Sequence, residues 1–120
     1  RDSYYYLNMS NSRRYTTYKD FFPHYLREHS KKRTRLLHYC GTGASNILLI
    51  TLIATQNYLL IPLVLLAGYG PAWIAHFFVE HNKPATFQYP LWSLIGDHHM
   101  TMLMLTGKLK DKMEKAGVDI

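Results

Sequence analysis

Between Leu36 and Val79 the chain has no Asp, Glu, Lys or Arg, an uncharged run of 44 residues in a protein of 120. Core helices of soluble proteins are rarely uncharged for so long, whereas a bilayer core of about 30 Å needs roughly 20 apolar residues per helical span. The missing charge therefore argues against an ordinary soluble domain and leaves room for two membrane spans. Cysteine is nearly absent as well. A lone Cys40 excludes an internal disulfide, and no CxxC or zinc-finger spacing exists. Acidic residues are scarce in the first part, where residues 1–35 hold nine basic and three acidic side chains, against five of each in residues 80–120. With ten tyrosines, the net charge of +6 could suit a nucleic-acid surface, but the uncharged run has no role in one. No nucleic-acid partner is expected.

What is present predicts an all-α, polytopic membrane protein forming a single domain, 1–120. Gln56-Asn57 is the one polar interruption near the middle of the uncharged run, which predicts a transmembrane helical hairpin over about 39–55 and 58–79. The basic cluster Arg27, Lys31, Lys32, Arg33 and Arg35 directly precedes the first span. By the positive-inside rule both termini then face the cytoplasm. Residues 1–12 read as an irregular arm and 108–120 as a charged cytoplasmic tail. Ahead of the hairpin, Tyr15, Tyr18, Phe22, Tyr25, Leu26 and His29 recur at steps of three and four. They predict an N-terminal amphipathic helix, from about Phe21 to His29 with Asp20 as its N-cap, lying on the membrane with its aromatics down. After Asn82-Lys83-Pro84 ends the second span, Tyr89 to Leu105 predicts a third helix. Seventeen residues with a central Asp-His-His make a poor full span, so a short or re-entrant helix packed on the hairpin is expected, closed by Gly107.

Six of the seven histidines, His29, His38, His76, His81, His98 and His99, are brought to one cytoplasmic edge by this arrangement. Counted from the hairpin turn, His38 lies about 19 residues back and His76 about 20 forward. At 1.5 Å per residue they are level to within about 2 Å on neighbouring antiparallel helices. Gly41, Gly43, Ala44 and Ser45 face Ala67, Gly68, Gly70 and Ala72 at matching depth and permit close helix approach, while Pro71 re-aims the helix that carries His76. His76 and Glu80, four apart, project from one helical face. Two histidines and a carboxylate on one side of Fe(II) leave adjacent positions open, so His38, His76 and Glu80 form one candidate ligand set. In the other arrangement Glu80 orients an imidazole and His29 or His98 is the third ligand. His81, Asp97, His98 and His99 are additional candidates for ligation or for supporting the ligands.

The segments Tyr25-Leu-Arg-Glu-His29-Ser, Arg35-Leu-Leu-His38-Tyr-Cys-Gly41-Thr, Ala72-Trp-Ile-Ala-His76-Phe-Phe-Val-Glu80, Asn82-Lys-Pro84-Ala-Thr-Phe87 and Tyr89-Pro-Leu-Trp-Ser-Leu-Ile-Gly-Asp97 resemble a family of small membrane proteins. Its characterised fungal member is a 2-hydroxy fatty acid dioxygenase that takes part in converting phytosphingosine to odd-numbered fatty acids. The resemblance covers roughly Tyr18 to Leu109. It implies an Fe(II)-dependent enzyme of the endoplasmic reticulum in a eukaryote, with molecular oxygen and a long-chain 2-hydroxy fatty acid as substrates; in a bacterium an integral protein of the inner membrane is expected. It matches His29, His38 and His76 as metal residues and Glu80 as a catalytic one. Arg35, in the basic run, is the candidate for attracting the substrate carboxylate. Two other classes fit the same residues: a membrane electron-transfer protein with haem between His38 and His76, and a non-catalytic, lipid-organising membrane protein.

Overall fold

The structure, a computed structural model, describes residues 15–118 and is all-helical among them. The irregular arm expected at residues 1–12 lies outside the described residues. Helix α1 spans Tyr18–Arg27 and α2 spans Lys32–Thr55. A 3₁₀ turn, Tyr58–Leu60, leads into α3, Ile61–Ile74, which continues as a π-helical turn over Ala75–Glu80. Helices α4, Pro90–Leu105, and α5, Leu109–Lys115, complete the chain.

The hairpin turns at the expected pair. Gln56 adopts the left-handed conformation (φ 54°) and its N–H caps Leu52 O at 2.7 Å, while Asn57 Oδ1 accepts from the Leu59 N–H at 3.3 Å. Both Lys32–Thr55 and Tyr58–Glu80 are long and apolar enough to cross a membrane. Their large apolar side chains point outward: Ile47, Ile50, Ile53 and Leu66 are each about two-thirds exposed. Helix α2 begins at Lys32, earlier than expected, so Lys32, Arg33 and Arg35 belong to its first turn and are not a connecting loop.

Close approach of α2 and α3 rests on Gly41, where a Cβ would lie 2.9 Å from the Ala67 carbonyl oxygen. Ser45 adds an interhelical hydrogen bond to Val64 O at 3.0 Å, and a Cβ on Gly68 would lie 3.3 Å from its hydroxyl. At Gly43 and Gly70, expected to share in this contact, an added Cβ would meet nothing across the pair.

Helix α1 differs from its expected form. Thr17 is the N-cap, its side chain accepting from Asp20 N, so the helix starts a turn early and Asp20 becomes a first-turn acid favoured by the helix dipole. Pro23 then lies well inside the helix, where a lost N–H bond costs about 3 kcal/mol. Burial offsets that cost. Phe21, Phe22, Tyr25 and Leu26 are almost wholly buried against Met100 and Leu103 of α4 and Leu109 and Met113 of α5, so the aromatic face meets protein and not lipid. The segment expected only as a charged tail thus supplies part of the core through α5. Gly107 (φ +75°) closes α4 as expected, with Lys108 N bonded to Leu103 O at 2.8 Å across the left-handed residue.

Candidate metal centre

Three buried histidines meet where α1, α2 and the π turn converge. His29 follows the end of α1, His38 lies in the second turn of α2, and His76 opens the π turn. They are 1%, 5% and 2% exposed. Ring centroids are 4.2 Å apart for His29–His38, 4.6 Å for His29–His76 and 5.0 Å for His38–His76. One ligand nitrogen from each lies within 4.8 Å of the others.

Each ring has an acceptor at Nδ1. His29 donates to Tyr25 O at 2.6 Å, His38 to Asp97 Oδ1 at 3.1 Å, and His76 to Asn82 Oδ1 at 2.7 Å. Asn82 is held with its carbonyl toward His76 because its amide nitrogen donates to Glu28 O at 3.3 Å. With the protons on Nδ1, all three Nε2 atoms present lone pairs to the same space. His29 Nε2, a lone pair once Nδ1 holds the proton, stands 3.1 Å from His38 Nε2. Burial, and then repulsion from His38 and His76, drives the His29 pKa well below 6.5 and keeps it neutral. Neutral imidazoles, Nδ1 anchored and Nε2 converging, are the donor set that transition metals take, and two nitrogens on one ion at about 2.1 Å stand roughly 3 Å apart. The cluster fits a metal ion.

Asp97 anchors more than His38. The Tyr25 hydroxyl donates to the same carboxylate oxygen, and the Tyr25 ring stacks on His29 with centroids 4.0 Å apart. Gly96 makes room for this, since a Cβ there would lie 3.0 Å from the Tyr25 ring. Burial, with Asp97 beside it, pushes the Tyr25 hydroxyl pKa well above 10, so it stays a donor.

The remaining sequence candidates go elsewhere. Glu80 turns away from the cluster and accepts from Ser30 Oγ (3.0 Å), Lys31 N (2.6 Å) and Thr34 Oγ1 (2.8 Å). With both carboxylate oxygens engaged there, Glu80 ties the end of the π turn to the α1–α2 link and the first turn of α2. Arg35 is buried, with Nη1 donating to His29 O and Ser30 O, and fastens the α1–α2 link. His81 is an exposed left-handed cap. His98 bonds Asn46 (3.0 Å) and Leu94 O, and His99 bonds the Tyr18 hydroxyl (2.9 Å) and stacks on Phe22. Two functional neighbours escaped sequence reading. Asn82 looked like a helix stop and Tyr25 like an apolar-face residue, although Tyr25 precedes His29 by one helical turn and so had to lie beside it.

A cavity of about 410 Å³ opens beside the cluster. His38, His76 and Asp97 line one end, and Leu49, Val64 and Leu65 line it farther along the hairpin.

The fold and site define a helical protein with a buried three-histidine centre of metal-binding geometry beside a deep, mostly apolar cavity. Residues 15–109 match the family described as Mpo1-like, 2-hydroxy-palmitic acid dioxygenase Mpo1-like. The chain belongs to the Mpo1-like family. No curated protein and no solved structure matches it.

Proposed function

We propose that this chain is an integral membrane, iron-dependent dioxygenase acting on long-chain 2-hydroxy fatty acids. The observation that carries the reading is the meeting of three buried histidines, one ligand nitrogen of each within 4.8 Å of the others, on the wall of an apolar cavity, in a chain of a family described by 2-hydroxy-palmitic acid dioxygenase activity. In the proposed reaction the C1–C2 bond breaks. One 2-hydroxy acid and one O2 give the one-carbon-shorter acid, carbon dioxide and water. His29, His38 and His76 would hold Fe(II), which supplies the redox chemistry and open positions for substrate and oxygen.

The chain's own residues do the rest. Tyr25 O, Asp97 and Asn82 fix the three imidazoles in one tautomer, so no reorganisation is needed when a ligand arrives. Leu49 lies eleven residues beyond His38 on α2, about 16 Å along the helix, a depth that admits most of a long acyl chain. The cluster sits at the charged end of the hairpin, beside Lys31, Lys32 and Arg33. By the positive-inside rule this is the cytoplasmic edge, where a lipid-soluble acid arrives from the bilayer.

Haem suits the geometry less well. A haem bridging His38 and His76 needs its macrocycle between them, and His29 stands within 4.6 Å of both rings. The test is to supply the purified protein with Fe(II), oxygen and 2-hydroxypalmitic acid. The expected products are the fifteen-carbon acid and carbon dioxide; no shortened acid, with metal demonstrably bound, would sink the reading.

A further inference from the structure

Ser93 lies on α4 one helical turn before Asp97, so the two share a face of that helix. It forms part of the cavity wall. The residue is only 7% exposed, and its hydroxyl has no hydrogen-bond partner among the described residues. A buried hydroxyl left unpaired costs on the order of 1–3 kcal/mol, and such a group in a native wall marks a place where a ligand or water completes the bond. Among the described residues Tyr39 has the other such hydroxyl, but it is not part of the cavity wall.

What the ligand must bring follows from the rest of the wall. Among the described residues no Lys or Arg lines the cavity, and Asp97 already contributes a carboxylate there. An acid head entering this space meets no cationic side chain and needs a neutral donor. A serine hydroxyl turns by a single χ1 rotation between staggered positions to provide one.

We infer that Ser93 is a substrate-positioning residue whose hydroxyl donates to a carboxylate oxygen of the fatty acid head held beside the three histidines. The inference rests on the reaction class proposed above. It makes Ser93 part of the discrimination between a long-chain acid and an equally long molecule without a carboxylate.

The test is a binding measurement without turnover. Protein purified in detergent and loaded with Fe(II) under nitrogen is titrated with 2-hydroxypalmitic acid and, separately, with 1-hexadecanol. Tryptophan fluorescence reports both, because Trp73 lines the cavity. Ser93→Ala should weaken acid binding about tenfold, as expected for one hydrogen bond to a charged group, and leave alcohol binding and iron content unchanged. Ser93→Cys, which keeps the size but is a poor donor, should behave like Ser93→Ala. Unaltered acid binding in both variants, or equal loss of acid and alcohol binding, would overturn the assignment. A wild-type protein that binds the acid no better than the alcohol overturns the substrate class itself and Ser93 with it. One that discriminates while Ser93→Ala discriminates equally well overturns Ser93 alone.

Discussion

At the scale of single residues, three backbone and side-chain acceptors decide what the histidines can do. Tyr25 O, Asp97 and Asn82 each engage an Nδ1, which leaves the other ring nitrogen of each histidine free to act as a ligand within the cluster. Removing any one imidazole donor should therefore remove the ion and not merely slow a reaction. Replacing His29, His38 or His76 by Ala is expected to lower bound metal well below one per chain, as read by elemental analysis. Asp97→Asn should leave the fold intact but weaken metal affinity, because the neutral amide supports the His38 ring less strongly. Outer partners of this kind are worth about 10–100-fold in affinity, measurable by competition with a chelator. The meeting of His38 and His76 was legible from residue counts about the Gln56-Asn57 turn. Their orientation was not, because the Asn82 and Asp97 contacts are made by residues 6 and 59 positions away.

At the scale of elements, two joints hold the cluster together. Helix α2 starts at Lys32 with no side-chain cap and no acid in its first turn. Glu80, from the far end of the hairpin, supplies both by receiving Lys31 N and Thr34 Oγ1. This tether brings the π turn with His76 against the α1–α2 link with His29. Glu80→Gln should then cost about 1–2 kcal/mol of stability, seen as a lower melting temperature, while the folded fraction keeps its metal. Loss of metal at unchanged stability would instead return Glu80 to the site. The other joint is Gly41, one turn beyond His38. Gly41→Ala puts a Cβ against backbone 2.9 Å away, which cannot yield without separating α2 from α3. A stability loss of about 1–3 kcal/mol with weakened metal binding is expected. Small residues announced the close approach in the sequence. The partners of Glu80 left no comparable mark, because Ser30, Lys31 and Thr34 lie 50, 49 and 46 positions away along the chain.

At the scale of the whole molecule, an apolar hairpin with outward-facing side chains is joined at its charged end to a compact core of α1, α4 and α5. The uncharged run made the hairpin legible. The aromatic stripe of α1 was legible too, but its partner was not, because the charged composition of 108–120 hides Leu109 and Met113 on one face of α5. This core carries a pH dependence. Burial, and then Arg27, lowers the His24 pKa to about 4, and His29 is also held well below 6.5. Both are neutral when folded and take up protons more readily when unfolded. Stability is therefore full above pH 6.5 and falls as pH drops toward 4, with His24 alone worth on the order of 3 kcal/mol. Thermal unfolding of the metal-free protein between pH 7 and 4 should show that decline. The central claim is that His29, His38 and His76 together hold one metal ion, and elemental analysis of the purified protein tests it most directly. About one iron per chain, lost in each of the three His→Ala variants and kept in Glu80→Gln, is the predicted result; no stoichiometric transition metal, or metal retained after His38→Ala, would contradict it.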